Sequence, residues 1–226
     1  MSQELLAENI NSDLTQRVVI DTTQAEWLVS PSPGVLRKPL DRKGRESGRA
    51  TSLVCYEPGA GYSPHSHDGG EEILVLEGVF SDECGDYPAG TYLLSPPGST
   101  HAPFSRQGCL LFVKLHQYLG VGRRQIVLDT TQLEWLPGLV PGLSVKPLYN
   151  QSGYPESVAL VRWEPGTQFD AHIHPGGEEI LVLDGVFEDE FGTYPSGSWL
   201  RNPARSIHRP FSRAGCTIYV KVDGLY

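Results

Sequence analysis

The sequence predicts an all-β chain of two tandem β-barrels of jelly-roll type. Three observations predict it. The chain repeats itself at a near-constant offset, each copy breaks into short β-rich runs between turns, and six of its seven histidines recur at matched places.

The repeat comes first. Asp21-Thr-Thr-Gln-Ala-Glu-Trp27 returns as Asp129-Thr-Thr-Gln-Leu-Glu-Trp135, and Lys38-Pro-Leu returns as Lys146-Pro-Leu, both at an offset of 108. One deletion then reduces the offset to 107. From His65 to Leu115 against His172 to Val222, 31 of 51 positions are identical without a gap. The expected organisation is an N-terminal extension over residues 1–19, a first domain over 20–120 and a second over 121–226. The boundary falls near Leu119 to Arg124.

Each half reads as strands. The runs 52–56 and 158–163 are rich in β-branched residues and close on Glu-Pro-Gly turns. The runs 72–80 and 179–187 are apolar and interrupted by glycine, as strands packed on both faces would be. Tyr-Pro-x-Gly turns follow at 87–90 and 194–197, and the runs 110–115 and 217–222 close each sheet. A short helix over Gln3 to Asn11 is the one helical expectation.

Composition narrows the function. Of 226 residues 39% are apolar, which suffices for packed cores, and 25 glycines and 18 prolines supply turns. The net charge of −9 offers no cationic excess for phosphates, so a nucleic-acid partner is not expected. The basic cluster Arg42, Lys43, Arg45 and Arg49 reads as a solvated loop. No apolar run reaches the 18 residues of a membrane span, and the first residues lack the pattern of a secretory signal. Four cysteines without a CxxC pair do not make a disulfide scaffold. A cytoplasmic, reducing setting is expected, without a membrane partner.

The matched histidines are His65, His67 and His101, then His172, His174 and His208; His116 is unmatched and reads as a surface residue. In a strand, residues i and i+2 share a face, so His65 and His67 can aim both rings into one interior. The Asp68-Gly69-Gly70 turn can swing Glu71 towards them, and His101 arrives from a later strand. His172, His174, Glu178 and His208 repeat the set. Three imidazoles and a carboxylate suit Zn, Fe, Mn, Co, Ni or Cu rather than Ca or Mg. A hydrogen-bonded histidine cluster is the alternative.

These spacings resemble the cupin signatures. Gly59-x5-His65-x-His67-x3-Glu71-x6-Gly78 and Gly166-x5-His172-x-His174-x3-Glu178-x6-Gly185 fit the first motif at every fixed position. Gly90-x5-Pro96-x-Gly98-x2-His101 fits the second up to its final Asn, which is Ser105 here. In the second half Arg205 replaces a glycine and Ser212 replaces the Asn. The surrounding Gly-Gly-Glu-Glu-Ile-Leu-Val-Leu, Tyr-Pro-x-Gly and Gly-Cys are similar to the ChrR-like cupins. These include the C-terminal domain of the anti-sigma factor ChrR and, more distantly, acetylacetone dioxygenases. The resemblance spans residues 20–222. It implies one divalent metal per barrel: zinc as the resting occupant, iron where dioxygenase chemistry operates, manganese or nickel as further options. It does not imply anti-sigma activity, because the helical zinc domain that holds the sigma factor is expected to be absent.

The halves also differ. Opposite Leu94, Gly98 and Ala102 stand Arg201, Arg205 and Arg209. An arginine entering the second barrel would favour an anionic ligand; solvated arginines on a turn are the other reading. Tyr92 and Trp199 either line the cavities or pack in the cores. Cys109 and Cys216 read as small buried residues, and Trp27 and Trp135 as anchors for the segment that opens each repeat. Three functions remain open: a metal-dependent, dioxygenase-like enzyme with a small organic substrate, a non-catalytic zinc sensor, or barrels in which the metals serve only as structural staples. The expected partner is a small molecule in the barrel, in a monomeric bicupin or a homodimer.

Overall fold

A computed structural model describes residues 8–45 and 48–225. The described residues form 23 strands and no helix. The helix expected over Gln3 to Asn11 lies mostly outside the described residues, and its end, Asn9–Ile10, is a strand paired with Lys43 and Arg42. Among the described residues no helix is long and apolar enough to cross a membrane.

The chain divides into two compact units, one comprising residues up to 12 and 26–132, the other 13–25 and 133–226. The repeat and the units therefore differ by an exchanged segment. Val18–Asp21 opens the first repeat but pairs with Ser198–Asn202 of the second, Ile20 lying opposite Trp199. Ile126–Asp129 in turn pairs with Thr91–Ser95 of the first, Leu128 lying opposite Tyr92. The hydroxyls of Thr22 and Thr130 fasten the exchanged strands to the carbonyls of Gly197 and Gly90, both at 2.6 Å. Linear boundaries at 20–120 and 121–226 cannot register this, because a strand's sheet partner is not encoded in its position along the chain.

Within the first unit the main sheet runs Asn9–Ile10, Val35–Lys43, Arg49–Tyr56, Cys109–Leu115, Glu71–Asp82, Thr91–Ser95 and Ile126–Asp129. The second unit runs Leu136–Pro137, Leu143–Asn150, Ser157–Trp163, Cys216–Val222, Glu178–Asp189, Ser198–Asn202 and Val18–Asp21, the same order from its second strand onward. Alternate side chains fill each interior: Val35, Val54, Ile73, Val75, Leu93, Leu111 and Val113 in one, Ile180, Val182, Leu200 and Ile218 in the other. Cys109 and Cys216 belong to these cores, where burial pushes both thiols up to about 11. They are packing residues.

The glycine of the first motif has a steric cause. At Gly78 (φ 70°) a Cβ would stand 2.1 Å from the carbonyl oxygen of Gly108; at Gly185 (φ 72°) it would stand 2.2 Å from that of Gly215. Only glycine lets the long strand bulge and turn onto the barrel's second face.

Candidate metal centres

Two short hairpin-like ladders bring the histidines together. His65–His67 pairs with Ser99–His101, so that His101 lies opposite His65. His172–His174 pairs with Ser206–His208 in the same register. Each ladder turns alternate residues inward and leaves Ser66 or Ile173 outside. In each unit the three imidazoles offer nitrogen atoms all within 4.8 Å of one another.

The tautomers follow from the partners. Nδ1 of His65 lies 2.9 Å from the carbonyl of Ser63, and Nδ1 of His172 lies 2.9 Å from that of Asp170. A carbonyl can only accept, so each Nδ1 carries the proton and Nε2 presents its lone pair to the cluster. Nδ1 of His208 faces Oδ2 of Asp189 at 3.5 Å, and His101 faces Asp82 at 3.9 Å. Burial and the neighbouring His101 and His65 drive His67 down to about 3; burial and His65 drive His101 down to about 4. Both are neutral near pH 7, as metal ligands must be.

Glu71 stands beside the first cluster. Its Oε2 lies 3.4 Å from Nε2 of both His67 and His101. That atom is buried and accepts no hydrogen bond among the described residues. Nε2 of His67 also lies 2.9 Å from Nε2 of His101, so two ring nitrogens and the carboxyl oxygen converge on one point, where a shared proton or a cation can sit. The donor set therefore fits a divalent transition metal, one per unit. Burial and the neighbouring Asp82 push Glu71 up to about 8.

In the second unit Glu178 lies 3.7 Å from His174 and 3.4 Å from His208. Here the frame is braced. Asn202 donates to Oε2 of Glu178 at 2.9 Å, and Arg17 donates from Nε to Oδ1 of Asn202 at 2.9 Å. The same guanidinium reaches Oδ2 of Asp189 at 3.0 Å, and Tyr194 donates to Oδ1 at 2.7 Å. Burial alone would raise Asp189; its bonds from His208, Tyr194 and the Phe191 amide, with the charge of Arg17, hold it low instead. Burial would likewise lower His208, but Asp189 and Glu178 raise it, which makes it a more basic donor.

The other residues singled out in the sequence take the following places. Arg201 does not enter the second cavity: it is buried and donates from Nη2 to the carbonyl of Asp13 at 2.8 Å. Arg205 and Arg209 are exposed. Arg205 keeps the turn of Gly98, with φ 66° against 83°, so the substitution strains the loop without abolishing it. Tyr92 and Trp199 are fully buried on the face opposite the core residues Leu93 and Leu200, where Trp199 donates to Oε1 of Glu179 at 2.8 Å. Trp27 and Trp135 stack under Lys38 and Lys146, at 4.7 and 4.6 Å. Ser105 and Ser212, in place of the motif's Asn, donate to the carbonyls of Val79 and Val186 at 2.6 Å and so tie down the loop after the last ligand.

A cavity of about 280 Å³ opens on the first site. His65, His67 and Glu71 form one part of its wall, and Arg37, Arg42 and His116 form another. Two of these differ from the sequence expectation. Arg42 is buried in the strand Val35–Lys43 rather than solvated in a loop, and His116 is half-buried on the cavity rather than a surface residue. A comparison of the repeats at inward positions, with Arg37 against Val145 and Arg42 against Asn150, would have found them.

The architecture is that of known cupin proteins. A "putative dioxygenase" of Nostoc punctiforme superposes with a TM-score of 0.77 at 18% identity, over 92% of this chain and 83% of that one. Protein Ylba of E. coli gives 0.73 at 17% identity, over 96% and 95%. The bacterial pirin YhhW of E. coli, solved with nickel(II), gives 0.68 at 12% identity, over 93% and 100%. No curated protein matches the chain in sequence. The model of the ChrR cupin-like domain matches twice, over residues 15–119 and 123–225, and the chain belongs to that family.

Proposed function

We propose that the first barrel is the working centre of a metal-dependent, dioxygenase-like enzyme acting on a small organic substrate. One observation carries the reading: a cavity of about 280 Å³ has three of the four first-site ligand residues in its wall. Such a volume approaches the size of ordinary small-ligand sites, which begin at about 300 Å³. Iron held there would supply oxygen activation; His65, His67, His101 and Glu71 would hold it and leave a position open to the cavity. The braced second site would hold its metal as a structural element, zinc being the natural occupant. Four free thiols among the described residues suit a reducing cytoplasm.

Membership of the ChrR cupin-like family favours a second reading, a zinc-loaded sensor whose cavity binds a signal molecule. Metal analysis of untagged protein, followed by oxygen uptake with a β-diketone panel, separates the two. Iron with uptake supports the enzyme. Two zinc ions per chain without turnover would support the sensor.

A further inference from the structure

The first cavity carries a cationic wall whose construction depends on one irregular residue. Arg37 and Arg42 are five apart in Val35–Lys43, a spacing that puts them on opposite faces of a regular strand. A bulge at Leu40 cancels the mismatch. Pro39 lies opposite Ser52, but Asp41 lies opposite Thr51 and Arg42 opposite Ala50. Both arginines therefore share the face of Ala50, Ser52 and Val54, and all five line the cavity. Arg37 is 8% and Arg42 2% exposed, and Nη1 of Arg42 is fixed by the carbonyl of Arg45 at 2.8 Å.

Other groups on the wall are Asp68, which is exposed, Glu71 among the metal ligands, and the half-buried His116. Tyr62 and Ser52 add hydroxyls, the former hydrogen-bonded to Ser30.

The second repeat keeps every metal ligand and loses this wall. Arg37, Arg42, Ser52 and Tyr62 correspond to Val145, Asn150, Ala159 and Phe169, and His116 corresponds to Asp223. The bulge itself is retained, now at Leu148.

We propose that the first barrel binds a small carboxylate, its carboxyl group on Arg37 and Arg42 and its remainder directed to the three-histidine site. Guanidinium matches a carboxylate in shape and charge, and burial strengthens the contact. At about 30 Å³ per water-sized group, the cavity admits a compound of roughly nine non-hydrogen atoms. The inference rests on the first barrel being the working centre, and it specifies the substrate class of that centre.

Calorimetric titration of the full metal-loaded chain, without oxygen, tests it. The probes are acetate, malonate, succinate and acetoacetate, with neutral succinamide and acetylacetone as isosteres. At least one carboxylate should bind at one per chain, at least 10-fold more tightly than its neutral counterpart. R37Q and R42Q should each weaken it by about 10- to 100-fold, with metal content unchanged. R37K and R42K, which keep a buried cation, should fall between. Equal affinity for acids and isosteres, no carboxylate bound, or unchanged affinity in the Gln variants would overturn the proposal. Carboxylate binding without oxygen uptake on any substrate would keep the clamp and remove the oxygenase reading. Uptake on neutral diketones with no carboxylate bound would do the reverse.

Discussion

Asn202 stands directly opposite Glu178 across two strands and donates a 2.9 Å hydrogen bond to its Oε2. At the matched pair of the first unit, Glu71 faces Ser95, and its Oε2 is left for the histidines alone. One amide thus divides two otherwise parallel ligand sets into a braced site and an open one.

The braced site should hold its metal longer. N202A or R17Q is expected to weaken metal binding at the second site by roughly 10- to 100-fold, the usual cost of removing such a support. Metal content after graded chelator dialysis checks it. Wild type should lose the first-site metal first, and these variants should lose both together.

Substitution should also divide the functions. H65A is expected to abolish turnover while keeping one metal per chain, whereas H172A keeps turnover. The double variant should bind no metal yet retain a β-type circular dichroism spectrum, since each core is packed by its own apolar residues. Turnover surviving in H65A would move the working centre to the second barrel.

Metal binding at the first site should release a proton at pH 7. Glu71, pushed up to about 8, is protonated there in the metal-free protein and must ionise to ligate. His67 and His101, driven down to about 3 and about 4, have no proton to give. Affinity therefore rises with pH until about 8. Titrations in buffers of different ionisation enthalpy count the proton, and E71Q should reduce this site's release to near zero.

R205G is expected to stabilise the second unit. A non-glycine residue at φ 66° bears left-handed strain of about 1–2 kcal/mol, partly offset by the freedom glycine gains on unfolding. A net gain of about 0.5–1 kcal/mol should appear as a rise in denaturant midpoint. Unchanged ligand affinity would accompany it, because Arg205 is exposed on a turn.

Much of the site was readable because ligand geometry is local. The two-residue spacing of His65 and His67 fixes a shared face, and the glycines of the following turn return Glu71 to them, whatever surrounds the barrel. The repeat supplied the second set. Asn202 was not readable as the partner of Glu178, because that contact depends on strand register, nor Arg17 as the brace on Asn202, because that contact depends on which sheet receives the exchanged strand. The arginines of the second half drew attention by composition, but burial and hydrogen bonding assign Arg201 to backbone carbonyls.

By itself, then, the sequence determined the all-β class, the duplication and both histidine clusters, since alternation and turn chemistry act over a few residues. Only the tertiary structure decided three further things. The exchange of Val18–Asp21 depends on long-range pairing. The bulge at Leu40, which turns Arg37 and Arg42 to one face, depends on register with Arg49–Tyr56. The difference between an open first site and a braced second one depends on groups 24 and 185 residues apart in sequence meeting around one carboxylate.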